Sequence, residues 1–335
     1  MTRTRIEGRR PAGAATGREE VAGGGPPRRS FVVTASAVAA ALVAAVVVAG
    51  FLTGGDPAPQ GSATLTPGGV RPASVGAEPA APSSPASGPA AEVKLTGIPV
   101  YWVAESMGRP RLYREFRDVP QVDSAIASAV AFMTRGEPLD PDYSTPWRPA
   151  TRISASQDGD ALTVDLSADA FSGTQVGSEL AQRAVQQLIY TATAAAATTG
   201  TPASSVRITV DGAGYDAWGA VRLGESMQRA PMSEVQAHSW VTAPSQGGTV
   251  STGRVTFTGF GTSFEANFPW TIRTTSGTTV AEGYATSASG QEFEEFSFSA
   301  DLVAGTYIVQ ASTDDASGGA EGFGAATDDK AFTVS

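Results

Sequence analysis

The chain has one histidine, no cysteine, and 33 acidic against 23 basic residues. A Ser-His-Asp hydrolytic site would have to be built on His238, and no Gly-x-Ser-x-Gly turn accompanies it. With no second imidazole and no thiol to share a metal, His238, followed by Ser239-Trp240, reads as a surface or linker histidine. Carboxylates are the remaining candidates for chemistry. Adjacent pairs stand at Glu294/Glu295, Asp314/Asp315 and Asp328/Asp329, a residue type that serves glycoside hydrolysis or calcium binding. Glu294 and Glu295 fall in a predicted strand, where neighbours point to opposite faces, so they make a poor catalytic pair. Asp314-Asp315 and Asp328-Asp329 fall in the Gly/Ala/Ser-rich stretch before the last predicted strand. Their spacing fits no EF-hand loop, and they read as solvated loop acids. Asp165 stands between Val164 and Leu166, so its side chain should face outward or satisfy a nearby backbone amide, a structural role. The Gly-rich stretches GGGPP and GGAEGFG lack the Gly-Lys-Ser/Thr of a phosphate loop. No catalytic residue, metal ligand or cofactor is expected.

Aromatic side chains are the other residues able to recognise a ligand. Trp102, Trp147, Trp218 and Trp240, with Tyr215 in the run Tyr215-Asp216-Ala217-Trp218, cluster in or beside one region. Core and interdomain packing is one reading. A glycan-stacking face built from Trp102, Trp147, Tyr215 and Trp218 is the other.

These residues are positioned by two differently patterned regions. Over 93–223, Ile98 to Ala104 and Leu112 to Val119 read as strands, the second alternating imperfectly. Asp123 or Ser124 caps a helix with Ile126, Ala127, Val130 and Met133 on one face. Arg152 to Ser167 is a hairpin turning at Asp158-Gly159. Ser178 caps a longer helix to about Ala197, and Val206 to Val210 is a last strand. The order ββαββαβ predicts an α+β sandwich with both helices on one sheet face. Over 235–335 the helical period vanishes and seven short strands recur, which reads as an all-β immunoglobulin-like sandwich. Its expected core is Val255, Phe257, Trp270, Ile272, Phe296, Phe298, Tyr307, Val309 and Phe332.

Ahead of both regions lie three segments of other kinds. Phe31 to Leu52 is uncharged over 22 residues and as a helix spans about 33 Å, which predicts one transmembrane helix. Residues 1–30 carry seven Arg against three Glu, so this basic leader is expected in the cytoplasm and the C-terminal domains outside the cell membrane. A cleaved signal peptide is the rival reading, against which the length of the leader counts. Residues 53–92 are rich in Pro, Ala, Ser and Gly and read as a disordered tether, with a reach of about 35 Å as a coil and roughly 120 Å extended. Beyond the leader 16 basic and 30 acidic residues remain, a net of about −14, which disfavours nucleic acid as a partner.

Two families are similar to the folded regions. Pro99-Val100-Tyr101-Trp102-Val103, Val164-Asp165-Leu166-Ser167, Leu188-Ile189-Tyr190-Thr191-Ala192-Thr193 and Val206 to Gly212 resemble the GerMN domain of bacterial sporulation and germination proteins. Val241-Thr242-Ala243-Pro244 with Gly247 and Val250, then Val255 to Gly259, Phe264-Glu265-Ala266-Asn267 and Ser276 to Gly283 resemble the immunoglobulin-like domain of bacterial spore germination. The resemblance implies a tethered, non-enzymatic envelope protein whose partner is an envelope protein or peptidoglycan. In this chain a membrane helix replaces the lipid-anchoring Cys of many relatives. An envelope hydrolase using acidic residues and a regulator of a membrane sensor kinase are the alternatives.

Overall fold

The computed structural model describes residues 93–173, 175–314 and 324–335. The predicted transmembrane helix, Phe31 to Leu52, with its leader and tether, lies outside them. Among the described residues no helix is long and apolar enough to cross a membrane.

The first region opens on a long hairpin, β1 (Lys94–Ser106) and β2 (Arg109–Pro120), followed by α1 (Ala125–Arg135). Ser124 caps α1, its hydroxyl accepting from Ala127 N at 3.1 Å. Gly136 ends the helix in the left-handed region at φ 72°, which favours glycine. β3 (Ile153–Asp158) and β4 (Ala161–Leu166) form the expected second hairpin, and α2 (Ser178–Thr198) leads to β5 (Ser205–Val210). β5 lies parallel to β4, which requires a crossover, and α2 supplies it. Short strands follow: β6 (Asp216–Ala217), β7 (Val221–Arg222) and β8 (Ser226–Gln228), then the one-turn α3 (Met232–Val235).

Three features differ from expectation. The five predicted strands divide between two sheets: β1 pairs only with β2, while the other sheet runs β3-β4-β5-β8. The reason lies at the outer edge of β1. Tyr101 N donates to Thr191 Oγ1 at 3.1 Å, and Gln187 Nε2 donates to Tyr101 O at 2.8 Å. Val103 exchanges two 2.8 Å bonds with Ser144. Pro99, in the same register, has no N–H to satisfy. Side chains of α2 and one loop residue thus take the place a further strand would occupy. Second, Ser178 is the first helical residue of α2, and Gly177, with no side chain, stands at its N-cap. Third, the imperfect alternation of β2 conceals a buried charge: Leu112, Tyr113, Glu115 and Val119 are buried, while the apolar Phe116 is exposed.

In the second region β9 (Ser239–Ala243), β10 (Thr249–Val250), β11 (Gly253–Gly261), β12 (Asn267–Thr274), β13 (Thr279–Thr286), β14 (Glu294–Leu302), β15 (Gly305–Ser312) and β16 (Thr327–Val334) form two sheets, β10-β16-β15-β12-β13 and β14-β11-β9. Val255, Phe257, Ile272, Phe296, Tyr307, Val309 and Phe332 are buried between them. Trp270 and Phe298 are partly buried and stack at 4.3 Å with 7° between rings. Gly259 stands directly across from Phe296, and the ring lies so close that an added Cβ would come within 2.0 Å of it. Gly283 stands across from Trp270 in the same way, at 2.7 Å. In each pair the ring covers a strand position that has no side chain.

A Gly259→Ala substitution should overpack this cross-strand pair and cost about 1–3 kcal/mol. Thermal unfolding of the variant checks it, and an unchanged midpoint would contradict the packing described.

Candidate functional site

The structure disperses the candidates for acid-base chemistry. Glu294 and Glu295 are successive residues of β14 and face opposite sides. His238 is half-buried near Phe293, with ring centroids 6.0 Å apart, and burial, reinforced by Arg111, lowers its pKa. Asp165 accepts from Gly212 N and Thr209 Oγ1, each at 2.7 Å, and from Arg152 Nη2 at 3.1 Å. Its partial burial works to raise the pKa, but the three donors hold it below the usual value. Asp165 ties β4 to the end of β5, as an acid satisfying a nearby amide should. Among the described residues no three His, Asp or Glu side chains are grouped to hold a metal ion. Asp315 lies outside the described residues.

The structure places Asp328 elsewhere than in a solvated loop. β16 begins at Thr327, four residues earlier than expected, and its alternation puts Asp328, Lys330, Phe332 and Val334 on the buried face. Asp328 is 8% and Lys330 3% exposed. Lys330 Nζ donates to Asp140 Oδ2 at 2.6 Å, to Asp328 Oδ2 at 2.7 Å and to the Tyr143 hydroxyl at 2.8 Å. Tyr143 OH donates to Asp328 Oδ1 at 2.9 Å, and Val241 N to Asp328 Oδ2 at 2.8 Å. Asp140 and Tyr143 belong to the loop after α1, so this network joins the first region to the second. Three acceptors surround one ammonium, a geometry that the compact, three-donor lysine fits and the planar guanidinium does not.

A second buried carboxylate holds the loop in place. Glu115 on β2 accepts from Trp102 Nε1 at 2.8 Å, from Arg117 Nη1 at 3.0 Å, and from the amides of Leu139 and Asp140, each at 3.0 Å. Trp240 of β9 is 1% exposed and packs in the first region's core, beside Tyr113 at 6.4 Å and Phe260 at 5.1 Å. The joint is therefore buried, charged and aromatic, and a cavity of about 100 Å³ lined by Tyr113, Tyr143 and Asp328 lies beside it. Sequence reasoning missed Glu115, Asp140 and Lys330. The available signal was the alternation Asp328, Lys330, Phe332, Val334, which carried backwards places both charged residues inward.

Burial works to lower the pKa of Lys330, but Asp328 and Asp140 outweigh it and hold the ammonium above its usual 10.5. Burial, with Asp328 and Asp140 next, drives Tyr143 well above 10.0. Burial also pushes Asp328 up to about 6, against the pull of Lys330.

Of the aromatic candidates, Trp102 and Trp147 lie in the core, at 0% and 2% exposure. Trp147 donates to Ala184 O at 3.1 Å and packs on Phe171 and Trp218, each at 5.0 Å. Trp218 and Tyr215 are partly open and both contact Phe171, at 5.1 and 4.8 Å. Trp218 sits in the turn between β6 and β7 at φ 47°, an uncommon conformation for a bulky residue. Its ring contacts with Trp147 and Phe171 hold it there.

The architecture is a mixed α/β region followed by a β-rich, immunoglobulin-like one, locked by a buried joint. Family comparison gives these regions their names. Residues 99–216 match the family described as sporulation and spore germination, and residues 238–320 match the immunoglobulin-like domain of bacterial spore germination. The chain thus carries a GerMN domain followed by that immunoglobulin-like domain. Both families are non-catalytic modules. No curated protein matches the chain. Among solved structures, CopC from Methylosinus trichosporium OB3b is 21% identical over 29% of this chain and 93% of its own, with a TM-score of 0.22. The fibronectin(III)-like modules of Clostridium thermocellum CbhA are 13% identical over 29% of this chain and 94% of theirs, with a TM-score of 0.20.

Replacing Lys330 by Met should leave Asp140 and Asp328 buried without a counter-ion and cost about 3–5 kcal/mol, readable by urea unfolding. Stability should also fall with alkali. Folded, Lys330 and Tyr143 keep protons that the unfolded chain releases at 10.5 and 10.0. The folded state then binds more protons, so stability is present below those values and is lost as pH rises through and above them. Unfolding midpoints of the wild type and of Tyr143→Phe measured between pH 8 and about 11.5 check this, since Arg183 titrates in the same window with the opposite sign; an equal pH dependence in the two proteins would contradict it.

Proposed function

We infer that the chain is a membrane-anchored, extracytoplasmic binding or scaffolding protein of a bacterial envelope, working in sporulation, germination or cell-wall complexes. The observation that carries this reading is the pair of family matches, at 99–216 and 238–320, to spore germination modules. The apolar run Phe31 to Leu52 behind a basic leader supports a single-pass anchor, N-terminus inside. The tether, 53–92, then carries the GerMN and immunoglobulin-like domains away from the lipid. Its partner is an envelope protein or peptidoglycan, and the acidic surface disfavours nucleic acid. Tyr215 and Trp218 are the two aromatic candidates whose rings remain partly open to a glycan. The hydrolase and sensor-kinase readings draw no support from the grouping of the described residues.

The full-length chain with a C-terminal tag tests the reading. Protease added to intact wall-less cells should remove the tag, and cross-linking in walled cells should recover an envelope protein or sacculus fragments. A tag cut only after lysis, or recovery of neither partner, would overturn it. If the open aromatic rings stack on glycan, Trp218→Ala should weaken sacculus capture by about threefold to tenfold, the weight of one aromatic contact.

A further inference from the structure

A cleft of about 590 Å³ opens in the GerMN domain between β2, α2 and the segment that leads to the second domain. Three guanidinium groups line it: Arg109 and Arg111, two apart on β2 and so on the same face, and Arg183 of α2. Two are fixed in place. Arg111 Nη1 donates to Ser233 O at 3.1 Å and Glu234 O at 2.6 Å. Arg183 Nε donates to Pro110 O at 2.8 Å, and its Nη2 to Glu234 O at 2.9 Å. Among the described residues none of the three makes an ion pair, although the molecule carries an excess of acids.

Carbonyl oxygens orient these forks without neutralising them. Burial, then the Arg111 charge, lowers Arg183 to about 10, and burial, then Arg109, lowers Arg111. The cations are crowded and partly stripped of water; Glu179 and Glu234 offset part of this without forming an ion pair, and an anion held between the guanidinium groups would relieve the remainder. The rest of the cleft narrows the choice of anion. Val221 and Met227, both partly exposed, supply a small apolar lining, with Val185 and Val235 buried at its edge, which suits small alkyl groups. Glu179 and Glu234 also line it, and with the net charge of about −14 beyond the leader they oppose a polyanion such as a phosphodiester polymer. Gln182 adds an amide able to bond a peptide group.

We propose that this arginine cleft binds the terminal carboxylate of a short peptide with small apolar side chains, the carboxylate held by Arg109, Arg111 and Arg183. Two sources carry that chemistry: a wall stem peptide, of D configuration at its end, and the C-terminus of an envelope protein, of L configuration. The proposal rests on the extracytoplasmic reading above only for the source of the peptide.

Calorimetric titration of the detergent-solubilised full chain tests it, with acetyl-dialanine in L,L and D,D forms, the matching C-terminal amides, and inorganic phosphate as probes. At least one acid form should bind saturably, with its amide weaker by roughly tenfold or more, the weight of a charged hydrogen bond. The configuration that binds better identifies the source. Arg109→Ala should weaken the acid by about fivefold or more; its exposed side chain makes no hydrogen bond among the described residues, so the unfolding midpoint should hold. Arg111→Lys, which keeps the charge and loses the fork, should fall between. Absence of saturable binding, equal affinity for acid and amide, unchanged affinity in both variants, or phosphate binding as tightly as the peptide would overturn the proposal. Failure here with envelope capture intact removes only this site. Loss of capture with carboxylate binding intact removes the envelope reading and leaves the site standing.

Discussion

An ammonium buried between two carboxylates governs how the two domains meet. Lys330 is 3% exposed, and its partners come from different parts of the fold: Asp328 from its own strand, Asp140 and Tyr143 from the loop after the first helix. Desolvating two acids and one base costs several kcal/mol per ion, repaid only when every donor and acceptor finds its geometry. Rotating one domain on the other would break the Asp140 and Tyr143 bonds and leave charges unpaired in an apolar setting. The network is therefore a constraint on orientation more than a source of stability. Glu115 extends it by fixing the backbone that presents Asp140, and Trp240 packs beside Tyr113 at the same joint.

A second constraint is the treatment of strand edges and bare strand positions. The β1 edge is closed by an amide and a hydroxyl from α2, with Pro99 lacking a donor where none would be satisfied. In the sandwich, Phe296 and Trp270 cover the glycines across from them. These contacts let the GerMN hairpin stand outside the larger sheet and let the β-sandwich tolerate glycine in its strands. The segment between the domains is held by Arg111 and Arg183, so the same residues that line the arginine cleft also secure the approach to the joint. The joint is buried and orients the domains, while the cleft opens to solvent on a predominantly acidic chain.

Local pattern in the sequence was enough for most elements. The helix cap at Asp123 or Ser124, which the structure assigns to Ser124, the Asp158-Gly159 turn, the β4 alternation and the sandwich strands depend on neighbours a few residues away, and period and turn chemistry report such neighbours directly. The same holds for most of the apolar core of the second domain and for the structural role of Asp165, whose partners lie at the end of the adjacent strand. The family resemblance was legible because its motifs fall on those same strands and helices. Tertiary structure alone decided what depends on distant partners. Lys330 meets Asp140 across 190 positions, and Arg111 meets Glu234 across 123, separations at which no periodicity carries a signal. A charged residue reads as solvated until a partner from another element surrounds it. For that reason Asp328 reads as a loop acid in the sequence, and neither Glu115 nor the three arginines of the cleft carry a local signal of their role.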